Sequence, residues 1–314
     1  MSALNRRNLC FFSVFSLLAS TQCSPPFEQP ALVISPRVIA LIASRPTVAP
    51  GDSVTMTAAL GDAMGVSTQG TLRWSLCARP EVSSSGLPLS SFGAFEPDIG
   101  CNTRGTVQVA QSVTAERATF TIPPEILQDE PVLLAAFGDQ VSAETRRALA
   151  QSAGITLIAS LTWTVNSQEF IAFKRVLVHP TEQNTNPPTP WVTLGGRAFR
   201  SIAREGVQRC EPTDGNGPHV VAPMTHVVIT PDTDEAWVEP FERIDASGQR
   251  VTEYEAAFRN WFSTAGAWDF GRARAPDLAP TWVAPRTPGT STLWLVLRDG
   301  HGGTSACIFT VLVR

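Results

Sequence analysis

Two stretches of this chain hold residue types that do chemistry. The first is LRDGHGGTSAC, residues 297–307, with an acid, a histidine, three glycines and a cysteine in eleven positions. The second is TPDTDEAWVEPFERID, residues 230–245, with six carboxylates. Calcium takes six to eight oxygen ligands, so Asp232, Asp234 and Glu235 are the residues that would open a calcium loop there. The EF-hand pattern and its glycine are missing, and a solvated acidic face is the competing reading. No nucleophile elbow, zinc-binding HExxH, P-loop or dinucleotide-binding glycine motif occurs. Four histidines, His179, His219, His226 and His301, fall in separate loops or strand ends with no motif around them. A hydrolase built from distant residues is therefore the third-ranked reading. Trp237 sits inside the acidic stretch and is the tryptophan expected to be exposed, as a contact for a sugar ring or a protein.

The elements flanking LRDGHGGTSAC decide what it is. STLWLVLRD before it puts Leu293, Leu295 and Leu297 on one face and Trp294 and Val296 on the other. ACIFTVLV after it puts Cys307, Phe309, Val311 and Val313 on one face. Asp-Gly and Gly-Gly between two strong strands supply the positive φ angles of a tight hairpin. The stretch reads as a turn, with His301 at its tip in water.

Composition points the same way. Of 314 residues, 43% are hydrophobic and 17% charged, a balance that buries a core rather than staying disordered. The length suits about two domains. Twenty-five prolines and 22 glycines punctuate short strands better than long helices. Net charge is −4, about −6 without Arg6 and Arg7, which argues against nucleic acid as a partner. Lys174 is the single lysine.

Strand-like runs include RVIALIAS, DSVTMTAAL, TLRWSLC, TVQVA, ATFTIPP and PVLLAAFG, then ITLIASLTWTVN and QEFIAFKRVLVHP around an NSQ turn. One helix is expected at 142–153, with Ser142 as N-cap, Gly154 beyond its end, and Ala148, Leu149 and Ala153 as its small apolar side. TEQNTNPPTP, residues 181–190, is polar, proline-rich and aperiodic, and reads as the linker. RAFRSIAREGVQRC, HVVIT, YEAAFRNWFSTAG and TWVAP continue the β pattern beyond it.

The beginning of the chain reads as an address. Arg6 and Arg7 precede an apolar run, Leu9 to Ala19, that is too short to span a bilayer. Small residues and Cys23 follow. Here the sequence resembles a bacterial lipoprotein signal, which implies cleavage before Cys23 and lipid attachment to it, although Gln22 departs from that pattern. Ordinary signal cleavage near Ala19–Thr21 gives the alternative, a soluble exported protein. The expected division is 1–22 signal peptide, 23–30 tether, 31–180 and 191–314 sandwich domains with the linker between.

Export makes disulfides the natural use of Cys77, Cys101, Cys210 and Cys307, since zinc spacing is absent. Three connectivities exist, and Cys77–Cys101 with Cys210–Cys307 is the simplest because each bridge stays within one half.

The second half resembles an immunoglobulin-like or PKD-like domain through YEAAFRNWFSTAGAWD and PGTSTLWLVLRDGHGGTSACIFTVLV. The first resembles a related immunoglobulin-like domain through TVAPGDSVTMTAAL and LRWSLC. The resemblance implies an all-β chain of two immunoglobulin-like β-sandwich domains. It also implies a non-catalytic lipoprotein of the cell envelope, on the outer membrane or cell surface or else periplasmic or extracellular, whose partner is an envelope protein. A carbohydrate-binding or adhesion module, with or without calcium, is the second reading; no other cofactor is expected.

Overall fold

The structure, a computed structural model, describes residues 31–79, 101, 105–188, 191–201, 207–231, 238–244, 250–274 and 279–314. Cys23, Asp232, Asp234, Glu235 and Trp237 lie outside the described residues.

The chain is all-β, with two helices among the described residues. Its first half runs β1 (Arg37–Ala43), β2 (Thr47–Val48), β3 (Ser53–Asp62), β4 (Gly65–Val66), β5 (Thr71–Ala78), β6 (Val107–Thr114), β7 (Arg117–Thr121), α1 (Glu130–Phe137), α2 (Ala143–Ala153), β8 (Ile155–Val165) and β9 (Gln168–Val178). One sheet joins β1, β3 and β4, with β7 also on β3; the other has the order β2-β9-β8-β5-β6. Alternation builds the space between them. In β8, Leu157, Leu161 and Trp163 point into a core shared with Val54, Met56, Trp74 and Phe120. β8 and β9 meet through Asn166 and Ser167, whose φ angles of 50° and 60° form the left-handed turn that a two-residue hairpin requires.

PVLLAAFG, expected as a strand, is α1. Asp129 stands at its N-cap position, Pro131 occupies the first turn, where a missing N–H costs nothing, and Val132, Leu133 and Ala135 turn inward. α2 begins at the expected cap: Ser142 accepts from the Thr145 N–H at 3.2 Å. Its inner face differs from the expectation. Arg146 and Ala150 are buried there, whereas Ala148 and Ala153 are exposed. Arg146 is drawn in because its guanidinium bonds Glu130 of α1 and the carbonyls of Gly138 and Val141, tying the two helices together.

The second half runs β10 (Val192–Leu194), β11 (Arg197–Ser201), β12 (Val207–Pro212), β13 (His219–Val221), β14 (His226–Pro231), β15 (Pro240–Ile244), β16 (Arg250–Tyr254), β17 (Phe258–Ser263), β18 (Ala267–Trp268), β19 (Arg272–Arg274), β20 (Thr281–Val283), β21 (Gly289–Arg298) and β22 (Thr304–Val313). RAFRSIAREGVQRC is thus two strands rather than one. The main sheet has the order β18-β20-β14-β10-β11-β12-β22-β21-β17-β19, with β13 also on β22, while β15 and β16 pair as a separate ribbon. Trp261, Trp268 and Trp282, from near both ends of that order, share one core with Phe199, Leu293, Leu295 and Phe309.

The other face of the β21–β22 hairpin is buried as well. Trp294, Val296, Ala306 and Ile308 pack on Val33, Ile39, Ala40, Ile42 and Ala59 of the first half. That is why Ser291–Leu297 shows no alternation of burial. A shared apolar cluster joins the two halves, and Gly61 makes room for it: a Cβ at that position would stand 3.1 Å from Trp294 Cζ2.

Candidate functional site

Where the halves meet, a groove of about 1070 Å³ opens between the outer face of β3 and the segment 180–188. β3 contributes every second residue to its wall, Ser53, Thr55 and Thr57. Two of these hydroxyls are fixed by cross-strand bonds, Ser53 to Thr121 at 3.0 Å and Thr55 to Thr119 at 2.9 Å. Arg45 and Asp52 form an exposed ion pair in the same wall, 3.3 Å apart.

The opposite wall is the expected linker, and it is held in place. Asn186 donates to the Ala43 carbonyl at 2.7 Å and accepts from the Thr304 N–H at 2.9 Å, bridging β1 and β22. The Ser305 hydroxyl donates to the Pro188 carbonyl at 3.2 Å. Asn184 is buried and donates to the His301 carbonyl at 3.0 Å. A polar segment without periodicity is ordered here because its amides complete backbone groups on both halves.

The turn of the LRDGHGG stretch is a five-residue hairpin loop between Arg298 and Thr304, but His301 is not at a solvated tip. Asp299 is fully buried and bends the loop: its Oδ1 accepts from the N–H groups of His301 at 2.7 Å and Gly303 at 2.8 Å. Gly300 and Gly302 take φ of 82° and 106°. The bend turns His301 inward, where its ring stacks on Phe241 at 4.0 Å. Glu182 Oε1 lies 3.4 Å from its Nε2 and Glu255 Oε1 lies 3.7 Å from its Nδ1. Burial alone would lower the His301 pKa; the carboxylates of Glu255, Glu182 and Asp299 outweigh it and raise the pKa above the usual histidine value. Asp299 is itself pushed up, by burial and by Glu255.

Lys174 enters this junction from β9, donating to Thr304 Oγ1 at 2.6 Å. Protein packed around its ammonium, and then the charge of Arg298, lower its pKa to about 7, against the pull of Asp299. His179 stands on the other side of Glu182, 4.0 Å from its Oε2. Its Nδ1 accepts from the N–H groups of Thr181 and Glu182, so this ring caps the start of the linker. Two histidines expected to be unrelated thus flank one carboxylate, while His219 and His226 lie in the second half's sheet.

Several buried oxygens at the junction have no hydrogen-bond donor among the described residues: Thr47 Oγ1, Glu182 Oε1, Asn184 Oδ1, Glu255 Oε1 and Asp299 Oδ2. Thr47, Glu182 and Asn184 line the groove. No sequence motif marks this arrangement, since its members come from β2, the linker, the hairpin turn and the end of the β15–β16 ribbon.

Of the sequence candidates, Cys77 bonds Cys101 and Cys210 bonds Cys307. Six of the eight tryptophans are buried: Trp74, Trp163, Trp261, Trp268, Trp282 and Trp294. Trp191 is partly exposed beneath the Arg200 guanidinium, 4.5 Å from the ring centre. Among the described residues, no helix is long and apolar enough to cross a membrane, and no group of three or more His, Cys, Asp or Glu is arranged to hold a metal.

No protein-family model matches the chain, and no curated protein matches it. Solved structures similar to it include the D0-D1 domain of intimin, at 9% identity over 87% of this chain and 98% of that one, with a TM-score of 0.20. A chimeric titin Z1Z2 gives 13% identity over 90% and 98%, with a TM-score of 0.19. A Salmonella alpha-2-macroglobulin mutant gives 12% identity over 86% of this chain and 16% of that one, with a TM-score of 0.25. At such scores the architecture of this chain rests on its own strand pairing.

Proposed function

We propose that the chain is a non-catalytic, exported lipoprotein of the cell envelope, anchored through Cys23, whose immunoglobulin-like halves present a protein-binding surface. The observation that carries this reading is the groove at the junction. Residues of both halves and the linker line it, and the shared apolar cluster and linker bonds hold its walls together. Pre-formed walls spare a partner the cost of ordering them. The two disulfides support export, because such bonds persist in oxidising compartments. Asp299, His179, Asn184 and Asn186 also have structural tasks: closing a turn, capping the linker and bridging the halves.

The exported chain, with both disulfides intact, would serve as bait on envelope extract, with and without calcium. Recovery of one specific protein, identified by mass spectrometry, is the expected result. Capture of polysaccharide alone overturns the protein-partner reading. If chelation abolishes that capture, Asp232, Asp234 and Glu235 become the site to test.

A further inference from the structure

Among the described residues, the β15–β16 ribbon joins no larger sheet. A two-stranded ribbon by itself is marginally stable at best in water, so docking has to hold it. Its register decides which face docks. Phe241 stands opposite Glu253 and Pro240 opposite Tyr254, so Phe241 and Tyr254 project from opposite faces. Tyr254, the single tyrosine of the chain, is exposed, whereas the Phe241 ring lies on His301 with 4.0 Å between ring centres. At the base of the ribbon the Glu239 N–H donates to Glu255 Oε2 at 3.1 Å, while Glu255 Oε1 faces His301 Nδ1 at 3.7 Å. Thr185 of the linker donates to Glu239 at 2.9 Å, and the Ala256 N–H donates to the Asp299 carbonyl at 2.7 Å.

The His301 ring therefore stands between three elements. Glu255 reaches it from the end of the ribbon, Glu182 from the linker at 3.4 Å, and Asp299 adds the negative charge of its own turn. Two further titratable groups act at one remove: Lys174 of β9 on Asp299, and His179, 4.0 Å from Glu182 Oε2. A charged His301 is the counter-ion that ribbon and linker share. A neutral one leaves the buried Glu255 beside Glu182 and Asp299 with no cation between them. A buried charge without its partner is strongly unfavourable, and undocking relieves it by returning Glu255 to water.

We infer that His301 is a pH-operated latch: its charged ring clamps the β15–β16 ribbon onto the junction, and loss of that charge releases the ribbon. The carboxylates that make the clamp also hold the His301 pKa above the usual histidine value. Docking is therefore complete below about pH 6.5 and is lost as pH rises through the folded value. Lys174, with its pKa lowered to about 7, gives up its charge beside Asp299 and so acts in the same direction. Glu182 and Thr185 also line the groove, so the latch couples the ribbon to that wall. It stands whatever the groove binds.

The test is hydrogen exchange of the exported chain with both disulfides intact, read by mass spectrometry. Labelling runs from about pH 5.5 to about pH 9, with times scaled to the intrinsic exchange rate at each pH. The amides of β15 and β16 should lose protection about tenfold across this range, the scale of an ion pair that is partly buried. Those of β21 and β22 should keep theirs, which separates release of the ribbon from unfolding. His301→Gln should show low ribbon protection at every pH. Glu182→Gln removes one carboxylate from the ring and should move the midpoint of the loss to lower pH, whereas Lys174→Met should keep a pH-dependent loss. Ribbon protection that ignores pH, or that falls in step with β21 and β22, overturns the inference. So does an unchanged profile in His301→Gln, an unmoved midpoint in Glu182→Gln, or a pH dependence that vanishes in Lys174→Met.

Discussion

Replacing Lys174 by methionine should stabilise this protein at mildly acidic pH. The structure lowers the Lys174 pKa from 10.5 to about 7, so the folded state disfavours the ammonium. The sign follows from linkage: between pH 7 and 10.5 the unfolded chain holds a proton here that the folded chain has released, and stability rises with pH through that window. The penalty is complete below pH 7 and is relieved above it. A shift of this size corresponds to about 5 kcal/mol, a ceiling because the Thr304 bond and the attraction of Asp299 are lost along with the charge. Methionine is close in length and shape and carries no charge. Lys174→Met should therefore be more stable than wild type at pH 6 by about 1–4 kcal/mol, with the difference shrinking steadily toward pH 10. Urea unfolding followed by tryptophan fluorescence at half-unit pH steps measures both curves. A variant less stable than wild type at pH 6, with a difference that does not change with pH, would refute the reasoning. It would mean that Lys174 is a satisfied charge holding the halves together.

Other consequences of the junction and the core can be checked with the same assay. His301 has a raised pKa, so its contribution is complete below about pH 6.5 and is lost as pH rises through the folded value; His301→Gln should remove that alkaline loss from the unfolding curve. Trp294→Ala empties the cluster shared by the two halves and should cost about 3–5 kcal/mol by denaturant unfolding. Gly61→Val drives a side chain against Trp294 and Ile39, and should lower the unfolding temperature by several degrees. The double change Cys210→Ala, Cys307→Ala opens a bridge spanning 97 residues and should cost about 5 kcal/mol in the loop-entropy model.

How far the sequence could be read depended on how local the information was. Ser142 and Gly154 marked the ends of α2 because capping involves only near neighbours. The alternation of Leu293, Leu295 and Leu297 against Trp294 and Val296 was legible for the same reason, and it named the two faces of β21 correctly. What alternation cannot say is that both faces are covered, because the second cover comes from β1 and β3, more than two hundred residues earlier. PVLLAAFG misled because four of its residues suit a buried strand as well as a helix. The preceding Asp129 and its own leading Pro131 were the signal that favoured a helix start. Arg146 was missed as a core residue because its burial depends on Glu130, in another helix.

The same distinction explains why the candidate site was invisible in the sequence while the turn beside it was not. Asp-Gly-His-Gly-Gly announces a bend through its own glycines. Its direction is set by Asp299, whose carboxylate accepts two N–H groups of the loop and turns His301 toward Glu182, Glu255 and Phe241. None of those three residues lies within forty positions of His301. A histidine between two glycines looks solvated when only its neighbours are considered. It stands at the centre of a carboxylate cluster where the second half of the chain meets the linker. The linker shows the opposite case. Its composition suggested a flexible connection, yet Asn184 and Asn186 make it a wall, because amide side chains substitute for strand partners that the two halves do not provide for each other. Polar residues in an aperiodic segment are thus poor evidence of mobility where two β-sheets converge, since unpaired backbone groups on both sides are waiting for donors and acceptors.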